Sequence, residues 1–178
     1  NCDNCYYDHT ICDSCKNGFG FKTDDDGQTS NECAPCTDHC NYCSQNNTYC
    51  NDDSCESGYG LVYDQNGVRT GRCGLCPDFC YSCRSNSSFC DECFDGYGYI
   101  LDDNNENTGK CGPCPKNCER CNNNGNKKCD DNGCFQGFGP EIGDDNQKTG
   151  NCKACPINCQ SCSENADNCS SCDSNYGF

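Results

Sequence analysis

The sequence has no methionine and no tryptophan, and it is poor in the residues that ordinarily build a core. Three Leu, four Ile, two Val and eight Phe make up under a tenth of its 178 residues. Such a chain cannot bury enough apolar surface to offset its conformational entropy by packing alone. No apolar run approaches the roughly 20 residues that span a bilayer, so no membrane span is expected in this segment. No secretory leader is visible, although a mature or excised fragment would have lost one. Cations are also scarce. Twelve Lys and Arg stand against 28 Asp and Glu, for a net charge of −16, and no basic run exceeds Lys127-Lys128. Phosphate neutralisation needs clustered cations, so nucleic acid is not expected as a partner. The two histidines, His9 and His39, lack an accompanying nucleophile pattern. They read as exposed polar residues, and no catalytic residue and no enzyme activity are expected.

Cysteine is what the chain has instead: 28 residues. Cross-links or metals must replace the missing core. The cysteines repeat. Cys33, Cys36, Cys40, Cys43, Cys50 and Cys55 are followed by Cys73, Cys76, Cys80, Cys83, Cys90 and Cys93. Next come Cys111, Cys114, Cys118, Cys121, Cys129 and Cys134, then Cys152, Cys155, Cys159, Cys162, Cys169 and Cys172. The spacing is C-x2-C-x3-C-x2-C-x6-C-x2-C, with x7 before Cys129 and x4 before Cys55 and Cys134. Cys2, Cys5, Cys12 and Cys15 take the third to sixth positions of a shortened copy. The units are 1–32, 33–72, 73–110, 111–151 and 152–178, the first and last truncated, which reads as a window on a longer array.

Other positions repeat in register. Gly18-Phe19-Gly20-Phe21, Gly58-Tyr59-Gly60-Leu61, Gly96-Tyr97-Gly98-Tyr99 and Gly137-Phe138-Gly139-Pro140 read as short strands. Their glycines suit positive φ or a close backbone approach. Asp24-Asp25-Asp26-Gly27, Asp64-Gln65-Asn66-Gly67, Asp102-Asp103-Asn104-Asn105 and Asp144-Asp145-Asn146 read as Asx turns. Thr70-Gly71, Thr108-Gly109 and Thr149-Gly150 lead back to a cysteine. Each unit is therefore a β-hairpin stapled at its open end. No segment has helical apolar spacing. The fold class is small, disulfide-rich and all-β: tandem hairpins stacked into a rod with almost no apolar core.

Spacing alone does not prove connectivity. The hairpin favours the sixth cysteine bonding the first of the next unit: Cys15–Cys33, Cys55–Cys73, Cys93–Cys111 and Cys134–Cys152. The other four can interlace, second with fourth and third with fifth. That gives Cys36–Cys43, Cys40–Cys50, Cys76–Cys83, Cys80–Cys90, Cys114–Cys121, Cys118–Cys129, Cys155–Cys162, Cys159–Cys169 and Cys2–Cys12. Cys5 and Cys172 are left over.

The cysteine spacing, the aromatic-glycine run, the Asx loop and the G-x-C return together resemble the furin-like cysteine-rich repeat. That repeat occurs in growth-factor-receptor ectodomains, R-spondins and arrays on protist surface proteins. The resemblance covers essentially the whole chain, implies a rod of disulfide-tied hairpins and supports the interlaced pairing. It carries over no signalling residue. Two features depart from its pattern: the x4 spacings, and Pro140 within a strand, where a missing N–H predicts an irregular hairpin.

Four chemistries compete for these residues. Asn46-Asn47-Thr48 and Asn86-Ser87-Ser88 are N-glycosylation sequons at one repeat position, with Asn168-Cys169-Ser170 a poorer third. Asp24, Asp26, Asp102, Asp103, Asp144 and Asp145 offer hard oxygen ligands for Ca²⁺, against the simpler reading of solvated turns. Twelve C-x2-C pairs have zinc-ligand spacing, but the dense even framework favours disulfides. Redox catalysis lacks its electropositive surroundings. Aromatics among the cysteines, from Tyr6, Tyr7 and Tyr42 to Tyr49, Tyr81 and Phe89, are expected to cover disulfides, or else to form an interaction stripe. The chain reads as an extracellular, glycosylated structural or surface-coat segment, with self-association into a filament or binding to other surface proteins. The alternative is a receptor or recognition ectodomain binding a protein ligand.

Overall fold

The computed structural model describes residues 1–5, 11–122, 124–174 and 176. Every strand in it is short. In chain order they are β1 (Cys2–Asn4), β2 (Ser14–Cys15), β3 (Phe19–Thr23), β4 (Thr29–Pro35), β5 (Tyr59–Tyr63), β6 (Arg69–Leu75) and β7 (Cys80–Ser82). There follow β8 (Glu92–Cys93), β9 (Tyr97–Leu101), β10 (Asn107–Pro113), β11 (Phe138–Ile142), β12 (Lys148–Ala154), β13 (Cys159–Ser161) and β14 (Ser171–Cys172). All sheets are two-stranded. Among the described residues there is no helix, so none is long and apolar enough to cross a membrane. The chain divides into two compact units, Asn1–Glu92 and Cys93–Phe178.

In the first unit, β3–β4 and β5–β6 are the aromatic-glycine hairpins. Phe19 faces Pro35 and Phe21 faces Cys33; Tyr59 faces Leu75 and Leu61 faces Cys73. In the second unit, β9–β10 and β11–β12 repeat this register, with Tyr99 opposite Cys111 and Pro140 opposite Cys152. Each hairpin shifts register once, near its tip. The Pro140 hairpin is no more irregular than the others. Its neighbours supply the reason. At the equivalent position, Leu61 N donates across to Arg84 O (3.3 Å), not into its own ladder. Proline there forfeits only that contact, and Pro140 O still accepts from Ala166 N (2.9 Å).

Two glycines per hairpin do different jobs. Gly58, with φ +83°, opens β5 in a region that disfavours side chains. Gly60 packs against the next copy. A Cβ there would lie 1.8 Å from Cys83 O and 2.8 Å from Cys83 Sγ. Gly20 against Cys43, Gly98 against Cys121 and Gly139 against Cys162 repeat this seam. Backbone bonds close it: Asn47 N to Phe21 O, Ser87 N to Leu61 O and Asn126 N to Tyr99 O, at 2.8–2.9 Å. Each hairpin is therefore held by the following copy.

Thirteen disulfides hold the described chain, and they join the thirteen pairs written above. Four staple hairpin ends across 18 residues: Cys15–Cys33, Cys55–Cys73, Cys93–Cys111 and Cys134–Cys152. Cys5 and Cys172 are half-buried thiols outside the bridges. Sulfur is also the core. Among the described residues, the buried hydrophobic ones are cysteines apart from Leu61 and Ala166. Cys40, Cys43 and Cys50 cluster in one unit, and Cys118, Cys121 and Cys152 in the other, the latter with Phe138 packed against it. Phe138 is an aromatic that packs on a sulfur cluster. Tyr42, Tyr49, Tyr81 and Phe89 keep about 40–60 % of their surface in solvent. Tyr6, Tyr7 and His9 lie outside the described residues.

The x4 spacings alternate with x2 along this chain. The fifth and sixth cysteines are separated by two, four, two, four and two residues along the chain. The x2 copies make small paired strands, β1–β2, β7–β8 and β13–β14. The x4 copies make single bridges, Cys40 with Cys55 and Cys118 with Cys134. Their extra residues include one with left-handed backbone, Asp53 or Asn132. They also carry an acid that pairs with a cation four residues before the stapling cysteine: Asp52 with Arg69, and Asp131 with Lys148 (2.5 Å).

Candidate functional site

The sequon loop follows the fourth cysteine of each copy. Asparagine occupies the third residue after that cysteine in all four six-cysteine copies, as Asn46, Asn86, Asn124 and Asn165. Its side chain closes the loop. Asn86 Oδ1 accepts from Ser88 N (2.8 Å) and Asn165 Oδ1 from Asp167 N (2.9 Å). Asn124 Nδ2 donates instead to Asp130 Oδ1 (3.2 Å). Recurrence of asparagine is thus a property of the turn, and only Asn46 and Asn86 complete a sequon there. Asn46 is the most firmly held. Its Oδ1 accepts from Thr48 N (2.8 Å), Thr48 Oγ1 (2.7 Å) and Thr23 Oγ1 (2.6 Å). Asn168 is exposed, beside bridged Cys169.

Asn46 lines a cavity of about 620 Å³ with Gln45, Tyr49, Asn51, Asp52 and Arg69. Arg69 comes from β6. Its guanidinium lies 4.7 Å from the Tyr49 ring centroid and donates to Asp52 and to the Cys50 carbonyl. Asn86 lines a separate cleft of about 530 Å³ against the β5–β6 tip, with Tyr63, Asp64 and Ser88 among its walls.

The acidic tips are tight turns. Asp24 Oδ1 accepts from Asp26 N (3.1 Å) and Gln28 N (2.8 Å). Asp102 Oδ1 accepts from Asn104 N (2.8 Å) and Glu106 N (2.9 Å). Gly27 and Asn105 take the left-handed position that follows. In the fourth copy the turn starts one residue earlier than the sequence alignment has it. Gly143 N donates to Gln147 O (2.8 Å), and Asp145 Oδ1, not Asp144, accepts from Gln147 N (3.0 Å). The turn length, fixed by left-handed Asn146, sets this register. Among the described residues, none of the Ca²⁺ candidates Asp24, Asp26, Asp102, Asp103, Asp144 and Asp145 is brought together with two further ligating side chains. The close ligand groups are cysteine sulfurs, such as Cys40, Cys50 and Cys73, each of which is in a bridge.

His39 is the residue whose setting the sequence least announced. It has φ +59°, stacks on Tyr59 (centroids 3.8 Å apart, planes at 11°) and bonds Glu56 Oε2 (2.9 Å). The residue before the third cysteine is left-handed in every six-cysteine copy, as His39, Phe79, Asn117 and Asn158. Two of these four are asparagine, the non-glycine residue that best tolerates that region, and this was a legible signal. On β11–β12, hydrogen bonds from Asn151 Nδ2 (3.1 Å) and Thr149 Oγ1 (2.9 Å) hold the Glu141 carboxyl below its ordinary value. The Lys153 ammonium is raised by its bond to Asp167 (2.7 Å).

No protein-family model, curated protein or solved structure matches this chain.

Proposed function

We propose that this chain is an extracellular, N-glycosylated structural segment of furin-like repeats, serving a surface coat or filament. One observation carries the reading. Twenty-six cysteines are bridged where another protein would have an apolar core, and such bridges persist in oxidising compartments. The sequons at Asn46 and Asn86 sit on loop side chains whose oxygens are engaged. Self-association draws support from the seam. Within each unit, successive copies meet by a head-to-tail contact, and contacts of that kind extend into filaments when they do not close.

Secretion of the chain from eukaryotic cells behind an added leader tests this. The expected product is fully oxidised, loses mass on deglycosylation at Asn46 and Asn86, and forms assemblies visible by negative-stain microscopy. Many free thiols with released zinc would sink the extracellular reading. Isolated monomers at all concentrations would remove the filament.

A further inference from the structure

We infer that the cavity beside Asn46 is the seat of the first N-acetylglucosamine of the glycan on that residue. The inference rests on the glycosylation proposed above and adds where the sugar goes.

Three observations carry it. First, Asn46 is preorganised. Three donors fix its oxygen, so the amide nitrogen that bears the sugar has one direction, and Asn46 is part of the cavity wall. Fixing the attachment point lowers the entropy lost on docking. The Asn86 oxygen has one such donor, from Ser88 N.

Second, the cavity has the size and chemistry of a sugar site. About 620 Å³ falls within the roughly 300–1,000 Å³ of small-molecule clefts. The Arg69 guanidinium lies over the Tyr49 ring and both line the cavity, with Tyr49 40 % exposed. A pyranose would lie against the guanidinium plane and the exposed part of the ring. The Gln45 amide and the exposed, Arg69-paired Asp52 carboxylate line the same cavity and supply polar groups of the kind a sugar's acetamide and hydroxyls bind.

Third, the aromatic ring is not required by packing. Tyr49 covers Gly71 in β6: a Cβ there would lie 2.3 Å from its ring. At the equivalent place Lys128 covers Gly150 with its Cβ and Cγ, at 2.8 Å by the same measure. An aliphatic stem therefore suffices. Yet the residue before the fifth cysteine is aromatic in both copies whose loop asparagine is a sequon, as Tyr49 and Phe89. It is Lys128 or Asn168 in the two whose loop asparagine is not.

The test uses the secreted glycoprotein with isotope-labelled sugar. Nuclear Overhauser effects are expected between the Asn46-linked N-acetyl methyl and the Tyr49 ring, with that methyl shifted upfield of its position in the free glycopeptide. Tyr49→Lys keeps the stem over Gly71, as Lys128 does over Gly150. It should abolish both signals while leaving Asn46 occupancy unchanged by intact mass. A glycan attached at Asn46 whose methyl stays at the free-glycopeptide position overturns the docking and leaves the glycosylation standing. An unmodified Asn46 overturns both.

Discussion

Replacing Gly60 by alanine probes the seam between copies most directly. The new methyl would sit 1.8 Å from Cys83 O and 2.9 Å from Cys83 C, both backbone atoms held by the Cys76–Cys83 bridge. Neither can move aside as a flexible side chain would. The strand must therefore retreat, and two bonds across the seam weaken: Ser87 N to Leu61 O (2.8 Å) and Leu61 N to Arg84 O (3.3 Å). Each contributes about 1 kcal/mol net. Overpacking against a fixed wall adds about 1–3 kcal/mol. A local destabilisation of about 3 kcal/mol corresponds to a loss of amide protection on the order of 100-fold. Native-state hydrogen exchange on the fully oxidised protein reads this at Ser87 and Leu61 without breaking a bridge. Gly67→Ala is the control. Gly67 has φ +75° and open space around it, so its cost is the left-handed backbone alone, about 1–2 kcal/mol, confined to the β5–β6 tip. Unchanged protection at Ser87 in Gly60→Ala would refute the idea that the glycine exists for this approach.

Other outcomes follow from the same geometry. Alkylation of the denatured, unreduced protein should label two cysteines, Cys5 and Cys172, and peptide mapping should find Cys36 joined to Cys43 and not to Cys33. Asp64→Ala removes the oxygen that accepts from Asn66 N and Val68 N, both at 2.8 Å. Faster exchange at those two amides is expected, with a cost of about 1–2 kcal/mol, whereas Gln65→Ala should be silent. The Glu141 carboxyl is depressed, so what it contributes is present above its unfolded value and is lost as pH falls through the folded one. Carbon-detected titration should place its midpoint below the ordinary 4.5, and Asn151→Ala should raise it.

Much of this fold is written in spacing. Where an 18-residue hairpin returns to its start, the two flanking cysteines meet, so the staples could be read from Cys55, the Asx turn and Cys73. The aromatic-glycine runs announced their strands because each glycine answers a backbone demand. The alternation of x2 and x4 was also present in the cysteine numbers, yet its meaning was not. That Asp52 would pair with Arg69 depends on the β5–β6 hairpin returning beside the insert, which only three-dimensional register supplies. The turn shift at Gly143 was hidden for a similar reason, since Asp144 and Asp145 look alike as letters. The Asn46 loop was legible as a sequon, but not the cavity beside it, whose walls come from one loop and the following hairpin's return strand. His39 on Tyr59 was invisible because the stack joins a loop residue to a strand residue that only the fold brings beside it.

The Gly60–Cys83 seam has a consequence for biosynthesis. A hairpin can close its own staple once its last cysteine has emerged from the ribosome, but its outer strand face stays open until the following copy's fourth cysteine arrives. Folding thus trails synthesis by a fixed part of one repeat, and each new copy finishes the one made before it. Oxidation in the order of translation then has a physical check at every step, because a misplaced fourth cysteine leaves the preceding glycine uncovered.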